Sequence, residues 1–173
     1  MRFLFLVLLV GCYAPERTWL LHAAKLETPI GIDFRHPMLS DAIDFFPCGF
    51  TKDLSKAKTV IKVEFDSRIP IARTRLSNPP VIVFSKEEMD RLNEVEELYA
   101  IAHELGHVLG LDNDDRVRAF PRDPLPGQTF HPAMFVSLMA SNVLSHVNRI
   151  EHGLLMPLLS RADERAIRER YCP

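Results

Sequence analysis

The chain has few cysteines and glycines, no long apolar run and almost no excess of one charge. No segment reaches 18 consecutive apolar residues, so the sequence predicts no membrane-spanning helix. The 21 Lys and Arg against 23 Asp and Glu leave a net charge of −2, which argues against a nucleic-acid partner. Apolar residues make up 47% and charged residues 25% of 173, as in ordinary globular domains. This length and composition predict one ordered domain without repeats.

The N-terminal residues are typical of a secretory signal. A positive start at Met1-Arg2 precedes an apolar run over residues 3–10, which is too short to cross a membrane. The next residues complete a Leu-Val-Gly-Cys sequence over 9–12, which resembles a bacterial lipobox. The resemblance implies a signal peptide over residues 1–11, lipidation of Cys12 and a membrane-anchored protein of the cell envelope, periplasmic or extracellular. The alternative is a core strand or helix with a chance cysteine.

Lipidation of Cys12 would leave an even number of cysteines, Cys48 and Cys172. Disulfides persist outside the reducing cytoplasm, so a Cys48–Cys172 bridge is the preferred interpretation. It would tie the C-terminal helix to the N-terminal half of the chain. Two alternatives stay open, namely two free buried thiols, or a Cys48 thiolate that caps a metal as an inhibitor.

A lead-in over residues 12–28 is followed by a strand-rich region in the predicted domain, which covers residues 29–173. Alternating apolar and polar residues, or short β-branched runs, predict strands at 30–35, 59–65, 71–76 and 81–84. The two arginines of 71–76 suit an edge strand. A short helix is predicted at residues 40–46. Ser160 with Asp163 predicts the start of a last helix, which runs to about Tyr171.

The longest predicted helix follows the last of these strands. Capping boxes at residues 85–88 and 93–96 predict a short helix before the main one. Apolar residues then recur at helical spacing over residues 94–109, and Gly110 is a natural stop because glycine readily takes the left-handed backbone conformation. Residues 112–136 are rich in Asp, Arg and Pro and predict a long irregular loop.

This main helix contains an HExxH motif, at residues 103–107. Residues four apart on a helix differ by about 40° in direction, so His103 and His107 can hold one metal ion. A catalytic Zn²⁺ takes three protein ligands and a water, whose pKa it lowers to about 7. Glu104 lies about 100° from His103 and can take the proton of that water without being a ligand. The alternative is a chance match on an ordinary core helix, which Gly110 makes less frequent.

The sequence from His103 to Asp112, HELGHVLGLD, closely resembles the HExxHxxGxxH pattern of the metzincin zinc proteases, and above all of their matrixin branch. The resemblance extends to the order of elements over residues 30–172. It implies an α+β fold with a small twisted mixed sheet, an edge strand, a zinc-binding active-site helix and a C-terminal helix.

The third-ligand position departs from the family pattern. Where the family has His or Asp, this chain has Asn113, whose neutral amide oxygen is a weaker zinc ligand. Asp112, Asp114 and Asp115 surround it, and Asp114 is the first substitute if the loop is shifted. Three more distant histidines are further alternatives, each more often a surface residue than a ligand: His131, His146 and His152.

The family's Met-turn, a methionine packed beneath the metal, has two candidates. Residues 137–140, Ser-Leu-Met-Ala, resemble its Ser-x-Met form, and Met139 is preferred because it follows the zinc helix sooner. Met156, before the last helix, is the alternative. Either one can instead be an ordinary core methionine.

These residues together predict a monomeric, lipid-anchored zinc endopeptidase that hydrolyses peptide bonds by Glu-assisted attack of a zinc-bound water. An extended peptide or protein substrate would pair with the edge strand 71–76, and residues 130–140 would line part of a specificity pocket. A catalytically weak or inactive relative that binds zinc or a protein partner is the alternative that Asn113 keeps open. A gluzincin-type site with Glu151 as third ligand is a third.

Overall fold

The computed structural model of the protein describes residues 26–32, 38–113, 117–120, 133–140 and 155–173. The strands are β1 (Ile30–Ile32), β2 (Phe50–Thr51), β3 (Thr59–Phe65), β4 (Ala72–Arg75), β5 (Val81–Phe84), β6 (Val117–Phe120), β7 (Ala133–Ser137) and β8 (Leu155–Leu158). The α-helices are α1 (Leu39–Ala42), α2 (Lys86–Met89), α3 (Glu94–Val108) and α4 (Arg161–Tyr171). Short 3-10 turns occupy Ile43–Phe45 and Leu54–Lys56.

A five-stranded mixed sheet carries the N-terminal half, in the order β2-β1-β3-β5-β4. All its pairings are parallel except that of β4 with β5, which is antiparallel. The predicted strand over 71–76 is therefore confirmed as an edge strand of the described sheet, since among the described strands β4 pairs with β5 alone. The predicted α+β class is confirmed at the level of a mixed sheet combined with helices.

The core lies between one face of this sheet and the helices α1 and α3. Every residue of β5 is buried, and Ile61 and Val63 of β3 alternate with the exposed Val60, Lys62 and Glu64. Helix α3 contacts both α1 and β4. The edge strand and the main helix are therefore neighbours, which places the HExxH motif next to an open sheet edge.

A second sheet joins β6, β7 and β8 in that order, with β6–β7 antiparallel and β7–β8 parallel. The prediction of an irregular loop over 112–136 is wrong for residues 117–120 and 133–136, which form strands. These strands are short, and β7 takes one of its partners from residues 155–158, so their pairing is tertiary and leaves little periodic signal. Met156 lies in β8, paired with Phe135.

Helix α3 begins and ends as its sequence predicts. Asn93 Oδ1 accepts hydrogen bonds from the backbone N–H groups of Val95 and Glu96, both at 3.0 Å, and Glu96 Oε2 accepts from Asn93 N–H at 3.0 Å. The predicted capping box over 93–96 is confirmed. The box over 85–88 is wrong, because the Ser85 side chain makes no capping hydrogen bond and Glu88 pairs instead with Arg91 at 2.7 Å.

A disulfide joins the C-terminal end of the domain to its N-terminal half. The sulfur atoms of Cys48 and Cys172 lie at bonding distance, with 5.7 Å between their Cα atoms. This is the pairing preferred from the sequence. It contradicts the two alternatives, namely two free buried thiols and a Cys48 thiolate that caps a metal. Cys172 directly follows α4, so the bridge holds the last helix against the segment before β2. Within the described ranges no helix has the length and hydropathy to cross a membrane.

Candidate metal centre

The two histidines of the HExxH motif converge on one point. Their Nε2 atoms are 3.1 Å apart, and their rings meet edge to face with centroids 4.7 Å apart. His103 is 9% exposed, whereas His107 is only partly buried, so the pair lies at the border of the core. The helical spacing of the two residues accounts for this convergence.

A backbone carbonyl holds the other ring nitrogen of each histidine. His103 Nδ1 lies 2.9 Å from the oxygen of Leu138, and His107 Nδ1 lies 2.8 Å from the oxygen of Leu111. A carbonyl can only accept a hydrogen bond, so each Nδ1 carries the proton. In the neutral rings both Nε2 atoms therefore present lone pairs to each other. This is the tautomer that metal-binding histidines use, with the outer nitrogen bonded to an acceptor.

The separation of the Nε2 atoms fits a zinc ion. With Zn–N bonds of about 2.05 Å, two nitrogens 3.1 Å apart subtend an angle of about 100° at the metal, close to the tetrahedral angle of about 109°. Two lone pairs at this distance repel when nothing lies between them, whereas a cation between them attracts both. The donor chemistry, the tautomers and the spacing thus agree with a zinc site.

The end of α3 positions the carbonyl that holds His107. Gly110 has φ 86°, in the left-handed region. Leu111 N–H donates to Gly106 O at 3.0 Å, and Gly110 N–H donates to His107 O at 2.9 Å. These two bonds form a Schellman motif. The predicted stop at Gly110 is confirmed, and the turn it permits brings the Leu111 carbonyl back to the His107 ring.

Met139 lies directly beneath the motif. Its side chain is fully buried, and a Cβ atom added to Gly106 would lie 2.9 Å from Met139 Cε and closer still to its sulfur. The turn that presents it is held by Ala140 N–H donating to Ser137 O at 3.0 Å and by Met139 N–H donating to Ser137 Oγ at 3.1 Å. The same turn supplies the Leu138 carbonyl to His103, so it both packs a methionine against Gly106 and holds the His103 ring.

Glu104 is 7% exposed, and its carboxylate contacts the edge strand. Thr74 of β4 donates its hydroxyl to Glu104 Oε2 at 2.7 Å and approaches the Glu104 carbonyl oxygen at 2.9 Å. A buried carboxylate needs such a donor, because losing its water without compensation is costly. The sequence analysis did not identify Thr74, since nothing local links a strand hydroxyl to a helix 30 residues later.

No third His, Cys, Asp or Glu joins the two histidines within the described part of the chain. Asn113 is exposed there, and its backbone N–H donates to Asp112 Oδ1 at 2.8 Å. Several predicted residues lie outside the described residues: Cys12, Asp114, Asp115, His131, His146, Glu151 and His152. The identity of the third ligand, Asn113 or a neighbouring aspartate, stays a prediction.

An open groove of about 720 Å³ lies elsewhere, along β3, where Lys58, Lys62, Glu64 and Asn78 are among its lining residues. None of the HExxH residues lines it. The Arg75 guanidinium pairs with Glu64 beside it, so this face of the sheet is charged rather than apolar. The groove is therefore separate from the histidine pair.

Comparisons with known protein families, with curated proteins and with solved structures find no match to this chain.

Proposed function

We propose that this protein is a zinc-dependent endopeptidase of the metzincin type. One observation carries the proposal, namely the two Nε2 atoms that face each other 3.1 Å apart while both Nδ1 atoms are bonded to carbonyls. An ordinary core helix has no reason to bring two imidazole lone pairs together, because that contact is repulsive unless a metal ion or a shared proton lies between them. The adjacent buried Glu104 supports a catalytic centre over a structural one, since a structural zinc site has no use for a general base.

Each residue of the site has a defined part in the proposed hydrolysis. His103 and His107 hold the metal, and Asn113 or Asp114 completes the protein ligands. When bound, Zn²⁺ supplies Lewis acidity that activates water and polarises a carbonyl group. The Glu104 carboxylate accepts a proton from the attacking water and passes it to the leaving amine. Met139 packs against Gly106, which lies between the two histidines on the helix.

The open edge of β4 supports a peptide substrate. Ser85 N–H donates to Ile71 O at 2.8 Å. Because every second residue of an antiparallel strand bonds to its partner strand, the backbone groups of Ile71 and Arg73 point to β5. Those of Ala72 and Thr74 therefore point away from the sheet. An extended peptide can pair with them and lie next to α3, as strand-adding ligands do. We propose a peptide or protein substrate, a monomeric enzyme without a nucleic-acid partner, and a lipid anchor at Cys12 that holds the enzyme at the cell envelope.

The test is zinc content together with chelator-sensitive proteolysis. The purified protein is expected to bind about one zinc ion and to cleave an unfolded protein, and a strong chelator should stop the cleavage. Glu104→Gln should retain zinc and lose cleavage, because the amide cannot accept the proton. Zinc binding without cleavage in the unsubstituted protein would favour the alternative, an inactive zinc-binding relative. Absence of zinc would refute the metal centre itself.

The third ligand needs its own test. Asn113→His should tighten zinc binding if Asn113 is the ligand, because imidazole is a stronger donor than an amide oxygen. Asp114→Asn should weaken zinc binding if the neighbouring carboxylate is the ligand instead. Competition for zinc against a chromophoric chelator measures both variants on one scale, and a change in only one of them assigns the position.

A further inference from the structure

We propose that Thr74 is a positioning residue, whose hydroxyl orients the Glu104 carboxylate and ties the general base to the strand that receives the substrate. The inference rests on the proposed function. It adds to the HExxH motif a residue from a different element of the fold, 30 positions away in sequence.

The contact has the geometry of a strong hydrogen bond. The 2.7 Å separation of Thr74 Oγ1 and Glu104 Oε2 falls in the range of hydroxyl-to-carboxylate bonds, which are roughly twice as strong as neutral ones. Glu104 is 7% exposed, so little water competes for this oxygen. The Glu104 backbone oxygen is 2.9 Å from the same hydroxyl, so the single hydroxyl proton is directed to the carboxylate and only shared with this carbonyl oxygen.

The position of Thr74 in β4 explains why it can do this and its neighbours cannot. Side chains alternate along a strand, so Arg73 and Arg75 point to the opposite face, where Arg75 pairs with Glu64. Thr74 alone of these three points towards α3. As a β-branched residue it has few accessible rotamers, so its hydroxyl is held in place by the strand itself.

Thr74 thereby belongs to the substrate-binding edge and to the catalytic centre at once. Its backbone groups point to the open edge where a peptide would pair, and its side chain bonds to Glu104. A peptide added to this edge would therefore be held at a fixed distance from the base. Precise placement of reacting groups contributes strongly to rate, so loss of the hydroxyl should lower kcat rather than substrate binding.

The test compares Thr74→Val, which removes the hydroxyl at nearly constant shape, with Thr74→Ser, which keeps it. On a peptide substrate Thr74→Val should lower kcat about 10-fold with KM and zinc content unchanged, and Thr74→Ser should restore kcat to within about threefold. Thr59→Val, the same exchange on β3, is the control. An unchanged kcat in Thr74→Val would overturn the proposal, as would equal losses in both Thr74 variants or a loss confined to KM.

A second readout needs no activity. In zinc-free protein, Thr74→Val and Glu104→Ala should each lower the midpoint of urea unfolding. The double variant should lose less stability than the sum of the two single losses, since each substitution removes the same hydrogen bond. Additive effects would overturn the contact. If Thr74→Val does not fold, Thr74→Ala replaces it in both measurements. If the variants show coupled losses of stability but the wild-type protein cleaves no substrate, the proposed function is refuted and the Thr74–Glu104 hydrogen bond is retained.

Discussion

Removal of the Cys48–Cys172 disulfide is the perturbation whose size follows most directly from the fold. The bonded residues are 124 positions apart in sequence, and their Cα atoms lie 5.7 Å apart. In the chain-entropy relation a loop of that length is worth about 5 kcal/mol, because the cross-link restricts the unfolded chain. Most domains have total stabilities of about 5–15 kcal/mol. Loss of this bridge should therefore remove a third or more of a typical domain's stability.

The assay is urea unfolding of the double variant Cys48→Ser/Cys172→Ser against its parent. Both proteins carry Cys12→Ser, so that no third thiol exchanges with the bridge, and both are measured with chelator, so that zinc binding does not add to stability. With an m-value of about 2 kcal/mol/M, a loss of about 5 kcal/mol lowers the midpoint by about 2.5 M. A difference below about 1 kcal/mol would refute the reasoning. Reduction of the parent should reproduce the effect, because it breaks the same bond.

Three further predictions follow from single contacts. Gly110→Ala places a side chain on a backbone with φ 86°, which should lower the free energy of unfolding in urea by about 1–2 kcal/mol. It should also weaken zinc binding, because it moves the carbonyl that holds the His107 ring. Burial raises the pKa of Tyr171 above 10.0, so its stabilising effect is complete below pH 10.0 and is lost as the pH rises through the folded pKa. Tyr171→Phe should lower the free energy of unfolding by about 1 kcal/mol at neutral pH and make it less dependent on pH in the alkaline range. An unchanged alkaline pH dependence would contradict this. Hydrogen bonds from Arg68 lower the pKa of Asp66 to about 2, so any stabilisation from this pair is present above pH 3.8 and is lost as the pH falls towards 2. In the Arg68→Ala variant the pKa of Asp66 should return towards 3.8, as measured by NMR titration of the carboxyl group.

The features that the sequence predicts well are those whose partners are near in sequence. The caps of α3 use side chains and backbone groups two to five residues apart, so the pattern of residues 93–96 and Gly110 contains all the relevant information. The buried strand β5 likewise has a continuous apolar run. The pair of imidazoles belongs to this class, because helical spacing alone brings residues 103 and 107 onto one side.

The features that the sequence analysis missed depend on segments that meet only in the folded chain. Ser85 has the residue type of a cap, but its side chain makes no capping hydrogen bond, and its backbone N–H, which a capping box would offer to Glu88, donates to Ile71 O instead. Strands β6 and β7 fall in a region rich in Pro and charge, and their sheet is completed by residues 155–158. Thr74 could not be linked to Glu104 without knowing that β4 is the edge strand beside α3.

The same distinction applies inside the proposed metal centre. The HExxH helix sets the spacing of the imidazoles, but the carbonyls that select their tautomers come from Leu111, after the helix, and from Leu138, in the turn that carries Met139. The helix in isolation would therefore present two imidazoles free to rotate and to bind in either tautomer. The site is complete only when the turn over residues 137–140 packs against Gly106. If zinc binds as proposed, its affinity and the folding of the C-terminal half should be linked, since a metal that binds only the assembled site stabilises the packing that assembles it.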